Sequence, residues 1–218
     1  MTMATNDNTF TDYVVGLDLA QTVDYSALAV IERKYREATF DEAAKVTHAV
    51  RLLHRWPHGT SFPTIVADVS NLLAAPPLEF ADLVVDRTGV GAAVVDLFKA
   101  EIDEGRLKQV HVTAGHEVTY ENGFYRVPKK ELVSVLQALL QTRSLTVARD
   151  MPLAEVLSKE FLNFRVKITI AGNETFEAWR ERDHDDLVFA VAFAAWWSMR
   201  TAFDLPDLPK AGPMPNRY

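Results

Sequence analysis

The chain contains no cysteine, so disulfides, thiolate metal sites and cysteine nucleophiles are excluded, and any metal must be held by oxygen or imidazole. The same absence fits a reducing compartment. No run of about 18 apolar residues occurs, and the opening stretch MTMATNDNTF is polar, without the apolar core of a signal peptide. Membrane spanning and secretion are therefore not expected, and the chain reads as intracellular. An excess of basic charge is also missing. Against 30 Asp and Glu stand 23 Lys and Arg, a net charge of −7, which argues against coating nucleic acid by bulk electrostatics. A local basic groove is still open to Arg33, Lys34, Arg36, Lys129, Lys130, Arg165 and Lys167. No G-x-x-x-x-G-K-[ST] stretch, internal repeat or low-complexity block is found.

What is present is an ordinary globular composition, 48% hydrophobic and 24% charged over 218 residues, enough for one sizeable core and one domain. YVVGLDLA (13–20), YSALAVIER (25–33) and KVTHAVRLLHRWP (45–57) read as three strands of a meander. TIVADVSNLLAA (64–75) reads as a helix stopped by Pro76 and Pro77. FADLVVDRTGVG (80–91) is a strand entering a glycine-bearing turn, and the helix after it runs to Gly105. A strand at 108–114 leads to a hairpin with Asn122-Gly123 at its turn. PKKELVSVLQALLQTR (128–143) is an amphipathic helix with Pro at its first position. The short strand LTVA, a helix around LAEVLSKEFLNF, a strand VKITI and a buried helix over LVFAVAFAAWW follow. The expected architecture is α/β, a mixed sheet with helices on both faces, over residues 12–203. Residues 1–11 are expected to be a flexible start, and 204–218 a proline-rich tail.

The carboxylates break this pattern. Asp18 lies within an apolar strand, where a charge is costly unless it is paired or holds a cation. Asp86 ends the strand DLVVD, where a glycine turn opens the sheet edge, the place ligands bind in α/β sheets. Asp183, Asp185 and Asp186 crowd the start of the last helix. Acidic residues suit a helix N-terminus, but Asp183 and Asp186 share a face and repel each other unless a cation lies between them. Asp86 also suits a turn in which its side chain accepts from the Thr88 or Gly89 amide, and Asp18 a pair with a buried arginine. If the first and fourth strands are neighbours under the last helix, the three acidic positions meet.

Together, VVGLDLAQTVDYSALAV, LVVDRTGVGAAVVDLF, RVPKKELVSVLQALLQTRSLTVA and RDHDDLVFAVAFAAW resemble the C-terminal nuclease domain of phage terminase large subunits, an RNase H-like fold of RuvC type. The resemblance spans about residues 12 to 200. It implies a metal-dependent endonuclease acting on double-stranded DNA in a bacterial host, with two Mg²⁺ or Mn²⁺ ions held by Asp18, Asp86 and Asp186. Asp183 and Asp185 are the secondary or alternative ligands. In this scheme Asp18 bridges the ions, Asp86 holds one and Asp186 the other. Carboxylates are the ligands such hard cations prefer. The missing Walker sequence makes a separate ATPase, portal or small subunit the implied partner. Lys129 and Lys130, at a helix start, are the expected DNA-backbone contacts. Thr22, Asp24 and Ser26 line the first turn as supporting groups or plain turn residues, and His184 either orients a water or sits on the surface.

Two other readings remain open. GLDLAQT is similar to the first phosphate loop of the actin, Hsp70 and sugar-kinase superfamily, although Ala20 stands where that loop needs glycine. A non-catalytic DNA-binding or assembly subunit on the same fold is the third reading.

Overall fold

The computed structural model describes residues 9–20, 24–38, 43–89, 91–170 and 185–201. Three strands open it: β1 (Thr9–Asp18), β2 (Ala27–Arg36) and β3 (Lys45–Arg55). They are followed by α1 (Phe62–Ala74), β4 (Asp82–Asp86), α2 (Gly91–Glu101), β5 (Leu107–Thr113), β6 (Thr119–Glu121), β7 (Phe124–Pro128), α3 (Lys129–Gln141), β8 (Leu145–Val147), α4 (Ala154–Ile170) and α5 (Asp186–Thr201). The eight strands form one sheet in the order β6-β7-β5-β4-β1-β2-β3-β8. β1, β2 and β3 are an antiparallel meander, while β4 runs parallel to β1 and β5 parallel to β4. This is an RNase H-like α/β sheet with helices on both faces.

The strand sequences explain the two layers. Side chains alternate across a strand, so Val15 and Leu17 of β1 pack with α1 and α2, whose Ile65, Val69, Val94 and Phe98 are buried on that face. Val14 of β1 and Val84 of β4 point the other way, into a core built with α3, α4 and α5. α5 is buried almost all round, from Leu187 to Trp197, as its unbroken apolar run requires. Gly16 sets how closely it lies on the sheet. A Cβ there would fall 2.0 Å from the Ala190 carbonyl oxygen and 2.8 Å from the Ala194 nitrogen. Among the described residues, no helix is long and apolar enough to cross a membrane.

One irregularity matters for the site. β2 and β3 pair in step from Ala27↔Arg55 to Val30↔Leu52, and then Ile31 pairs with Val50, so Arg51 stands out of register as a bulge. The extra residue reverses the alternation of β3. Val50 and Leu53, of opposite parity, therefore both enter the core beneath α5.

Most predicted elements fall within a few residues of their expected bounds, and the hairpin turn has positive φ at both Asn122 (54°) and Gly123 (82°), the geometry a two-residue turn needs. Two expectations are corrected. Residues 166–170, VKITI, belong to the end of α4 instead of forming a strand. Their β-branched composition is a weak preference that a helix already under way overrides. Pro128 is the N-cap of α3 instead of its first residue, and it also ends β7. β1 begins at Thr9, and the proline-rich 204–218 lies outside the described residues.

Candidate active site

The site is built on one row of the sheet. Leu17 of β1 is in register with Val85 of β4, so the next residues, Asp18 and Asp86, end two parallel strands side by side. Neighbouring strands lie about 4.8 Å apart. Across β1 the row continues, since Asp18 pairs with Ala27 of β2, and Ala27 pairs with Arg55 of β3. Asp86, Asp18, Ala27 and Arg55 thus stand in line. All four face α5: Gly16 points at that helix, Asp82 accepts a 2.6 Å bond from Trp197 Nε1, and the bulge returns Arg55 to the same side.

α5 runs antiparallel to β1, with Trp197 over Asp82 and Ala190 over Gly16. Continuing one turn towards its N-terminus carries Asp186 to the level of the row. Asp186 is 2% exposed, and its carboxylate accepts two bonds from Arg55, 2.7 Å from Nε to Oδ2 and 2.9 Å from Nη2 to Oδ1. Arg55 Nη2 also bonds Glu160 Oε1 of α4, and the second oxygen of Glu160 accepts from the Val188 amide at 3.2 Å, capping the first turn of α5. The guanidinium lies 4.7 Å from the centre of the Tyr25 ring. Burial, and then the charge of Asp186, pushes the Glu160 carboxyl up to about 7 in spite of Arg55.

Asp86 is buried, and its Oδ1 accepts from the Thr88 amide at 2.7 Å, so the turn expected of it does form and fixes the orientation of the carboxylate. Both glycines of the D-x-x-G-x-G stretch have a physical reason. Gly89 has φ +65°, and a Cβ on Gly91 would meet the Asp86 carbonyl oxygen at 2.1 Å, so only glycine lets α2 start against that strand end.

The structure thus brings Asp18 and Asp86 together and sets Asp186 and the buried Asp185 above them at the start of α5. Asp183, His184 and Thr22 lie outside the described residues. Ser26 closes the first turn through Oγ, 3.1 Å from the Ala20 nitrogen. Lys129 and Lys130 begin α3. Lys129 Nζ is 5.0 Å from the centre of the Phe189 ring in the first turn of α5, and Lys130 Nζ is 2.7 Å from His116 Nδ1. Sequence reasoning missed Arg55 and Glu160. For Arg55 a signal exists, the adjacent Leu52 and Leu53 that break the alternation of β3.

Among the described residues, no three carboxylate or imidazole groups stand together as a ready-made metal cage. The fit of a hard divalent cation differs along the row. Two aspartates at adjacent strand ends, one oriented by a backbone amide, suit such an ion. At Asp186 such an ion would compete with a guanidinium, from which both oxygens accept. Comparison with known protein families, curated proteins and solved structures gives no match for this chain.

Proposed function

We propose that the chain is a metal-dependent DNA endonuclease of the terminase type. The observation that carries this reading is the level pair Asp18 and Asp86, at the open ends of adjacent parallel strands beneath the N-terminus of a buried helix. Asp18 and Asp86 would hold Mg²⁺ or Mn²⁺, which supplies an activated water at neutral pH and offsets charge on a phosphate. The Thr88 amide keeps the Asp86 carboxylate in one orientation, so little is lost to reorganisation when a cation arrives. Lys129, beside the first turn of α5, and Lys130, on the same helix start, would meet the phosphate backbone in this reading. Double-stranded DNA is the substrate of this reading, and an ATPase supplied outside these 218 residues is its partner.

The test is nicking of supercoiled plasmid by the purified protein with Mg²⁺, Mn²⁺ or EDTA, beside Asp86→Asn. Metal-dependent nicking that disappears in the variant is the expected result. A folded protein that fails to nick DNA with either metal overturns this reading. It would favour a non-catalytic DNA-binding subunit, to which the neutralising Arg55–Asp186 pair also lends support.

A further inference from the structure

The family scheme asks for two cations among the acids of β1, β4 and α5. One positive charge is already present, and it belongs to the protein. Arg55 stands in the same row as Asp86 and Asp18, separated from them only by the methyl group of Ala27. Its planar fork takes both oxygens of Asp186, a bidentate geometry that a guanidinium makes well and an ammonium does not. The Asp186 side chain is 1% exposed and that of Arg55 15%, so the pair is largely shielded from solvent screening. Tyr25 covers the guanidinium, and Glu160 bonds it from α4.

Helix stability alone does not explain this arrangement. A cation near a helix N-terminus opposes the dipole, and burying an ion pair is seldom favourable against an apolar replacement. A divalent ion at Asp186 would have to displace the guanidinium or sit beside it.

We infer that Arg55 is the second cation of this site: the chain binds a single divalent ion, at Asp18 and Asp86, and Arg55 supplies through Asp186 the positive charge that a second ion would bring. This rests on the endonuclease reading above. Arg55 is a positioning residue, since what it touches is Asp186, Glu160 and Tyr25.

The test is the number of Mn²⁺ ions bound per chain, read from electron paramagnetic resonance of the free ion. Wild type, Asp186→Asn and Asp86→Asn would be titrated, alone and with an uncleavable phosphorothioate duplex. The expected result is one Mn²⁺ in wild type under both conditions, retained in Asp186→Asn and lost in Asp86→Asn. Arg55→Gln, which removes the guanidinium from the Asp186 carboxylate, is expected to bind a second ion and to nick on the order of 100-fold more slowly. Arg55→Lys is expected to restore part of that rate. Two ions in wild type, one of them lost in Asp186→Asn, would overturn the inference and leave the endonuclease reading standing. No bound Mn²⁺, or binding that ignores Asp86→Asn, would remove the endonuclease reading and the inference with it. The wild-type count decides between these outcomes even if the Arg55 variants do not fold.

Discussion

The two ends of α5 make an instructive contrast, because an arginine from the sheet meets each of them. At the C-terminal end Arg33 of β2 donates to the Ser198 carbonyl at 2.6 Å and to Thr201 Oγ1 at 3.0 Å, while Asp12 holds its other nitrogens. A cation there agrees with the helix dipole and satisfies a terminal carbonyl. At the N-terminal end Arg55 opposes the dipole and is tolerated because Asp186 and Glu160 surround it. The Arg33 side chain is 4% exposed and that of Arg55 15%. One end is arranged as a structural anchor, whereas the other keeps charge beside an open sheet edge.

Four substitutions test this contrast. Gly16→Ala has the largest expected effect, because its methyl group would collide with backbone between the two ends instead of with a side chain that can turn aside. More than about 3 kcal/mol of lost stability is expected in urea unfolding, with both ends of α5 displaced. A loss below about 1 kcal/mol would mean that the helix does not press on β1 as described.

Next comes the acid sensitivity of the anchor end. His48 of β3 is 1% exposed, pairs in register with Arg33, and has no hydrogen bond to either ring nitrogen. Burial, and then the charge of Arg33, lowers its pKa from 6.5 to about 4, with the Ser144 carbonyl and Asp12 opposing the shift. Between those values the unfolded chain takes up a proton that the folded one refuses. The contribution of His48 is therefore full above pH 6.5 and falls as pH drops towards 4. Glu160 sets an opposite trend, since its carboxyl, raised from 4.5 to about 7, favours the folded state at the acid end. About 3 kcal/mol of the His48 contribution is expected to be lost across that window, and His48→Leu is expected to shift the slope towards greater acid stability in denaturant titrations at stepped pH. An unchanged slope would assign the acid sensitivity to other groups.

Arg33→Met should cost less, about 2 kcal/mol, because Asp12, with its side chain 29% exposed, regains water when its partner is removed. Thermal melts would show the loss, while Mn²⁺ binding well below the melting point should stay at the wild-type level. A fall in Mn²⁺ affinity would mean that the two ends are coupled. Lys130→Ala should have the smallest effect on stability, within about 0.5 kcal/mol. It should weaken duplex binding and reduce the salt slope by about one, as read from fluorescence anisotropy across a salt series.

Much of the fold could be read before any coordinates, and the reasons are local. β-branched alternation marks β1 and β2, Asn122-Gly123 fixes the hairpin, and the unbroken apolar run of α5 can only be an interior helix. The placing of Asp18 and Asp86 was legible because glycines and a polar turn marked the strand ends. Arg55 and Glu160 were not, and for different reasons. Strict alternation places Arg55 on the wrong face, since the bulge at Arg51 resets the parity of β3. Glu160 joins the site only through the way α4 meets α5, a contact 28 residues apart that no local pattern encodes. VKITI misled for the converse reason, because local composition there disagrees with the helix that contains it.

The bulge has one more consequence, and it concerns chain length. Since the β3 register resumes at Leu52 after Arg51 is skipped, whether an arginine or a histidine faces the aspartates is a matter of counting. Deleting Arg51 would remove the one residue of this stretch without a partner on β2 and leave Arg55 opposite Ala27, on the face of the aspartates. Pairing Arg51 in step with Val30, without the bulge, is what would rotate the strand end by half a period and turn His54, now in edge contact with Trp56, towards Asp18 and Arg55 away from it. The charge of the site thus depends on a bulge as well as on the residues of the row. A lineage could lose the Arg51 codon and keep the row intact, because the bulge absorbs the change of length.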